Sequence, residues 1–188
     1  MEAFLASTIA VTIAEIGDKT QLLAFILATR FRQPLTIALG IFIATSANHL
    51  AAGWLGHWLF EWAQHWLTPM HLRWLLAGSF FAVALWMLIP DKVDAEESPF
   101  YRYGPLVATT LLFFLAEIGD KTQIATVLLA AKYEHFYAVI AGTTLGMMMA
   151  NLPILWLANY SAATLPLTWI HRISAGLFII FGVATLWG

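Results

Sequence analysis

Four acidic residues carry the chemistry that can be read from this chain: Glu15, Asp18, Glu117 and Asp120. They form two Glu-x-x-Asp pairs, each in the middle of a long apolar stretch. On a helix, the i, i+3 spacing places both acids of a pair on one face. A charged side chain at mid-bilayer costs at least ~2.5–3.5 kcal/mol on insertion scales. Four of them need compensation, and cations can supply it. Two such pairs brought face to face would form an oxygen-rich, four-carboxylate site, the ligand set of hard divalent cations such as Ca²⁺, Mn²⁺ and Mg²⁺.

The residues around the acids extend this reading. Gly17 and Gly119 lie between the paired acids, where a mid-helix glycine costs about 1 kcal/mol relative to alanine. Either the helix unwinds there and frees backbone carbonyls, or another helix packs closely against the small residue. Lys19 and Lys121 follow the glutamates by four residues and can reach back along a continuous helix. The four acids and two lysines sum to −2, the charge one divalent ion neutralises. The lysines could also pair with the acids and yield to the ion, or the whole motif could be a structural ion-pair cluster. Gln21, Gln123, Asn48 and Asn151 offer amide oxygens for a coordination shell or for bonds between helices. Thr20 and Thr122 are expected to bond to their own helix backbone. Met147, Met148 and Met149 read as core or lipid contacts rather than a thioether site. No histidine is assigned as a ligand; His49 lies deepest, beside Asn48.

The elements that must position these groups follow from composition. Of the 188 residues, 61% are hydrophobic and 11% charged, where a soluble domain carries about 25% charged residues. The mean hydropathy is +0.77, so the solvent is lipid. There is no cysteine, which excludes disulfides and thiolate metal sites. No run of basic residues points to nucleic acid. A spanning helix needs roughly 20 apolar residues, and six stretches qualify: 3–28, 35–59, 73–89, 104–130, 136–158 and 169–187. The first has no basic residue before it and is interrupted by charge, so it is expected to remain in the mature protein rather than act as a signal peptide. Arg30, Arg32, Lys92, Arg102 and Arg172 fall on one side, Arg73 and Lys132 on the other. By the positive-inside rule the acidic 90–102 segment is then cytoplasmic and both termini are periplasmic. Trp54, Trp58, Trp62, Trp66 and Trp74 cluster near the outer ends.

The stretch Ala14-Glu15-Ile16-Gly17-Asp18-Lys19-Thr20-Gln21 recurs unchanged as 116–123, an offset of 102 residues. Gly40 matches Gly142 at the same offset, and Asn48 matches Asn151 one residue out of step. Each copy holds three spans, so the second enters the membrane from the opposite side. The expected fold is an all-α integral membrane protein of six transmembrane helices, in two inverted-topology three-helix repeats. The first repeat covers 1–89 and the second 103–188, joined by the acidic linker 90–102.

The motif E-x-G-D-[KR]-[ST], present at Glu15–Thr20 and again at Glu117–Thr122, resembles the signature of a family of cation/proton exchangers. That family includes Golgi manganese and calcium transporters of eukaryotes and manganese exporters of bacteria. The resemblance covers essentially the whole chain. It implies Mn²⁺ or Ca²⁺ transport in exchange for H⁺, with the acidic motif residues binding the ion and no cofactor. Without the extended N-terminus of eukaryotic members, the chain resembles a bacterial inner-membrane form, and among those Mn²⁺ export. Proton coupling is physically reasonable: a crowded, buried carboxylate cluster takes up protons that a divalent ion then displaces. Three rival readings are a structural or channel protein, which should present a continuous polar stripe where polarity here is concentrated at the midplane, a Ca²⁺/H⁺ antiporter with the same site, and a membrane enzyme acting on polyprenyl phosphate. The enzyme should show arginines clustered for the phosphate, and only Arg30 and Arg32 lie together.

Overall fold

The computed structural model describes residues 1–89, 98–157 and 167–187. These form eight α-helices and one short 3₁₀ turn, with no strand among the described residues. The helices are α1 (Glu2–Glu15), α2 (Lys19–Phe31), α3 (Pro34–Gln64), α4 (Pro69–Met87), α5 (Gly104–Glu117), α6 (Lys121–Lys132), α7 (Phe136–Leu157) and α8 (Leu167–Trp187). Their ends follow local chemistry. Pro34 and Pro69 open α3 and α4, where the missing N–H has no intrahelical partner to lose. The Thr68 hydroxyl accepts the His71 N–H at 3.4 Å and caps α4. The expected linker lies largely at 90–97, outside the described residues, as does most of the gap between the last two expected spans.

Four of the expected stretches are single helices, α3, α4, α7 and α8. The other two, 3–28 and 104–130, are not. Each is interrupted at its motif, between α1 and α2 and between α5 and α6. The physical reason is the same in both. Gly17 and Gly119 have φ of 84° and 72°, a conformation that costs side-chain-bearing residues energy and cannot continue a right-handed helix.

Helices α3, α4 and α7 are long and apolar enough to cross a membrane, and the His171–Trp187 part of α8 is a shorter apolar helical stretch. Large apolar side chains such as Trp54, Leu75, Leu85 and Ile180 are exposed. Such a surface suits lipid and not water.

The packing repeats. α1 lies against α7, α5 against α3, and α4 against α8. A Cβ on Gly142 of α7 would stand 2.5 Å from the Phe4 carbonyl oxygen and 3.0 Å from Ser7 Cβ of α1. A Cβ on Gly40 of α3 would stand 2.7 Å from Thr109 Cβ of α5. Ser7 and Thr109 are themselves 102 residues apart, so one small-residue contact occurs twice. At Gly142 the obstacle is backbone, which cannot swing aside. Gly142→Val is expected to cost about 1–3 kcal/mol through overpacking. Thermal unfolding of the purified protein in detergent reads this as a lower midpoint, and an unchanged midpoint would remove the close contact.

Two apolar clusters form the interior. One joins Ala10 and Ala14 of α1 with Phe80 of α4, Ala125 and Leu129 of α6, and Phe178 of α8. The other joins Ala24 and Leu27 of α2 with Ile37 and Ile41 of α3, Phe113 of α5 and Leu155 of α7. Along the chain, each break separates a part in one cluster from a part in the other.

Candidate metal centre

Each break is closed in the same way. The Asp18 N–H donates to the Glu15 carbonyl and the Asp120 N–H to the Glu117 carbonyl, both at 3.1 Å. The two aspartates then stand at the N-caps of α2 and α6, where short acidic residues are favoured. Gln21 Oε1 accepts the Gly17 N–H at 2.9 Å, and Gln123 Oε1 accepts the Gly119 N–H at 2.7 Å. A Cβ at Gly119 would meet nothing within 4 Å. Close packing is therefore not why glycine stands there; the positive φ is.

The breaks correct three expectations built on continuous helices. Glu and Asp of one motif do not share a helical face; they flank a turn, with Glu ending one helix and Asp opening the next. The lysines do not reach back to their own glutamates. Lys19 Nζ lies 2.6 Å from Asp120 Oδ1 of the other motif, and Lys121 Nζ donates to the Ile89 carbonyl just past α4. The threonines bond to the glutamates rather than to their own backbone. Thr20 Oγ1 donates to Glu15 Oε2 at 2.5 Å, and Thr122 Oγ1 to Glu117 Oε2 at 3.1 Å, with Asp120 Oδ2 at 3.2 Å from the same hydroxyl.

Across the two breaks the carboxylates meet. One oxygen each from Glu15, Asp18 and Asp120 lies within 4.8 Å of the others. Hard cations hold oxygens at about 2.0–2.6 Å, so ligands of one ion lie within roughly 5 Å of one another. Glu117 stands outside this triad and is tied to Asp120 through the Thr122 hydroxyl. Glu15 and Glu117 are fully buried, and Glu15 lies within the electrostatic reach of both Glu117 and Asp120. Glu15 Oε1 and Glu117 Oε1 are buried with no hydrogen-bond partner. A buried acceptor of this kind is costly unless a cation or proton supplies what hydrogen bonding does not.

The neutral residues have other tasks here. Gln21 and Gln123 use their amide oxygens to hold the glycine turns, and Gln21 Nε2 also donates to the Ala150 carbonyl of α7 at 2.7 Å. Asn48 Nδ2 donates to the Phe114 carbonyl at 3.0 Å. That carbonyl lies in the last turn of α5, where no intrahelical donor follows. Asn151 Nδ2 donates to the Met147 carbonyl at 3.1 Å, and its Oδ1 is buried without a partner. Two supports were not visible in the sequence. Ser174 Oγ of α8 donates to the Ile13 carbonyl in the last turn of α1 at 3.0 Å, and the Ile89 carbonyl receives Lys121. Neither residue belongs to a repeated motif, so no local signal marks them.

Comparison with known proteins finds relatives along nearly the whole chain. A family model described as "Divalent cation/proton antiporter GDT1" matches residues 3–95 and 105–188. The chain is 49% identical over 186 residues to a Vibrio cholerae protein named "Putative manganese exporter", covering 98% of this chain and 90% of that one. It is 25% identical over 214 residues to a "GDT1-like protein" of Synechocystis sp., covering 100% and 98%. It is 26% identical over 225 residues to "GDT1-like protein 5" of Arabidopsis thaliana, covering 99% and 96%. No solved structure matches it.

Proposed function

Since the chain belongs to the GDT1 family of divalent cation/proton antiporters, we propose that it exports Mn²⁺ across a bacterial inner membrane in exchange for protons. It is a transporter and not an enzyme, so the polyprenyl-phosphate reading is set aside. The observation that carries the proposal is the pair of buried, unpartnered glutamate oxygens beside the carboxylates that converge from both motifs. In this reading Glu15, Asp18, Glu117 and Asp120 hold either one divalent ion or protons, in alternation. Thr20 and Thr122 orient the glutamates, Gln21, Gln123, Gly17 and Gly119 hold the turns, and Asn48 secures the end of α5. Asn151 Oδ1 remains a candidate ligand.

The architecture in this reading is six spans in two inverted repeats, 1–89 and 103–188, with the 90–102 linker cytoplasmic and both termini periplasmic. Three observations support it. The packing pairs α1 on α7 and α5 on α3 exchange under the repeat. The apolar clusters pair the first half of one motif span with the second half of the other. A cavity of about 520 Å³ gathers Glu2 at the start of α1 with Gln64, Arg73, Lys132 and Thr185, so the start of one motif span and the end of the other share one end of the molecule. Exchanging the conformations of the two halves would open the site to one side and then the other. An inward proton gradient then drives the metal out.

The name of the 49% identical relative favours Mn²⁺. The all-oxygen triad also suits Ca²⁺, which keeps Ca²⁺/H⁺ antiport as the second reading. Uptake into inside-out vesicles with an acidic lumen separates them. Mn²⁺ uptake is expected to depend on the gradient and to collapse to the passive level with nigericin. Gradient-driven uptake of Ca²⁺ alone would change the substrate, and uptake of neither ion by folded protein would sink the transport reading.

A further inference from the structure

The two motifs are identical in sequence, yet their lysines do different things. Lys19, at the N-terminal end of α2, crosses to the other repeat and places Nζ 2.6 Å from Asp120 Oδ1. Asp120 is nearly fully buried, while the Lys19 side chain keeps 26% of its surface exposed. Asp18 and Glu117 also act on the Lys19 charge, so its ammonium stands among the acids of the site. Lys121 is buried and is drawn instead to the Ile89 carbonyl, beyond the last turn of α4, where unpaired carbonyls and the helix dipole favour a cation. Equivalent lysines of the two motifs thus reach a carboxylate of the other motif in one case and a backbone carbonyl in the other.

Asp120 is one of the three residues whose oxygens converge. An ammonium ion and a metal ion on that carboxylate exclude each other, because both need the same lone pairs and both carry positive charge into the same small space. We propose that Lys19 is a tethered counter-ion of the metal centre, occupying Asp120 between transport events, so that each arriving divalent ion must release Lys19 from it. This rests on the transport reading above and adds a specific internal competitor to it. A tethered cation keeps the acids compensated when no metal is bound, which an uncompensated buried charge requires. It also weakens net metal affinity, which aids release on the far side.

The test uses the full-length protein in lipid nanodiscs, with Mn²⁺ binding measured by titration calorimetry at one fixed pH. Wild type is expected to bind Mn²⁺. Lys19→Met, which keeps the length of the side chain and removes its charge, is expected to bind at least about tenfold more tightly, a factor worth 1.4 kcal/mol. Mn²⁺ release from it should slow correspondingly. Unchanged or weaker binding by folded Lys19→Met, with wild type binding normally, would overturn the counter-ion and leave the metal centre standing. No binding by wild type would remove the metal centre itself, and the counter-ion with it. A second measurement needs no variant. Reductive methylation of Lys19 in wild type, read by mass spectrometry, should speed up on saturation with Mn²⁺ as the amine leaves Asp120. A rate that does not rise would overturn the proposal independently.

Discussion

Asp120→Asn and Asp18→Asn proteins will fold and insert like wild type but carry Mn²⁺ at least about 100-fold more slowly. The two halves of this expectation have separate grounds. Both turns are closed by backbone bonds that the substitution leaves in place, and at Asp120, whose side chain caps α6, asparagine caps a helix as well as aspartate does, so the turn and the following helix keep their support. What the bound ion loses is one negative charge; in Asp120→Asn, Lys19 also loses its ion-pair partner but is partly exposed and still stands near Asp18 and Glu117. At about 4 Å and an effective dielectric constant near 20, one unit-charge pair is worth roughly 4 kcal/mol and a divalent ion doubles it. Even a third of that sum is about 2.7 kcal/mol, a hundredfold. Glu15→Gln and Glu117→Gln should behave alike, since both glutamates are fully buried and an amide keeps the size of the side chain. Glu61→Gln is the comparison. Its carboxylate is exposed beside His57 on α3 at 3.3 Å, and such surface pairs are worth about 0–1 kcal/mol, so its transport should match wild type. Full-rate Mn²⁺ uptake by folded Asp120→Asn vesicles would falsify the assignment of the site.

The second large effect concerns the glycines of the two turns. At position 119 the order of transport rates is expected to be Gly, then Asn, then Ala, then Val. Space does not set this order, because a Cβ at Gly119 meets nothing within 4 Å. The positive φ sets it. Holding alanine there costs about 1–2 kcal/mol, and alanine favours a continuous helix over glycine by about 1 kcal/mol. Both push the chain to run straight through the break. A straight helix would carry Asp120 away from Glu15 and Asp18, and with it the converging oxygens. Gly119→Ala should therefore transport at least about tenfold more slowly, the factor that 1.4 kcal/mol carries. Asparagine is larger than alanine but tolerates positive φ better, so it should retain more activity. Mn²⁺ uptake by the four proteins at matched expression decides this. If alanine outperforms asparagine, side-chain size rules the position and the conformational argument fails.

Much of the site was legible from local sequence. An acid in the middle of an apolar stretch is costly wherever the chain goes, so Glu15, Asp18, Glu117 and Asp120 stand out by residue type alone. The eight-residue repeat likewise pairs the motifs without any coordinates. Gly17 and Gly119 are intermediate. A glycine between two acids permits both an unwound turn and a close helix contact, and only the backbone angle of 72° with open space around Gly119 chooses between them. Once the helix breaks, side chains that spacing placed along one face point elsewhere. The threonines turn to the glutamates, and the glutamine oxygens turn to the glycine N–H groups.

The sequence by itself determined which groups carry charge into the apolar interior, that they come in two equivalent sets, and that most of the chain between them is helical. Those properties depend on residue type and on period, which are local. The tertiary structure alone decided who meets whom: Lys19 on Asp120, Lys121 on the Ile89 carbonyl, Asn48 at the end of α5 and Ser174 at the end of α1. Two identical motifs hold no information about which oxygen each lysine reaches. That choice arises only when segments far apart in the chain are packed together.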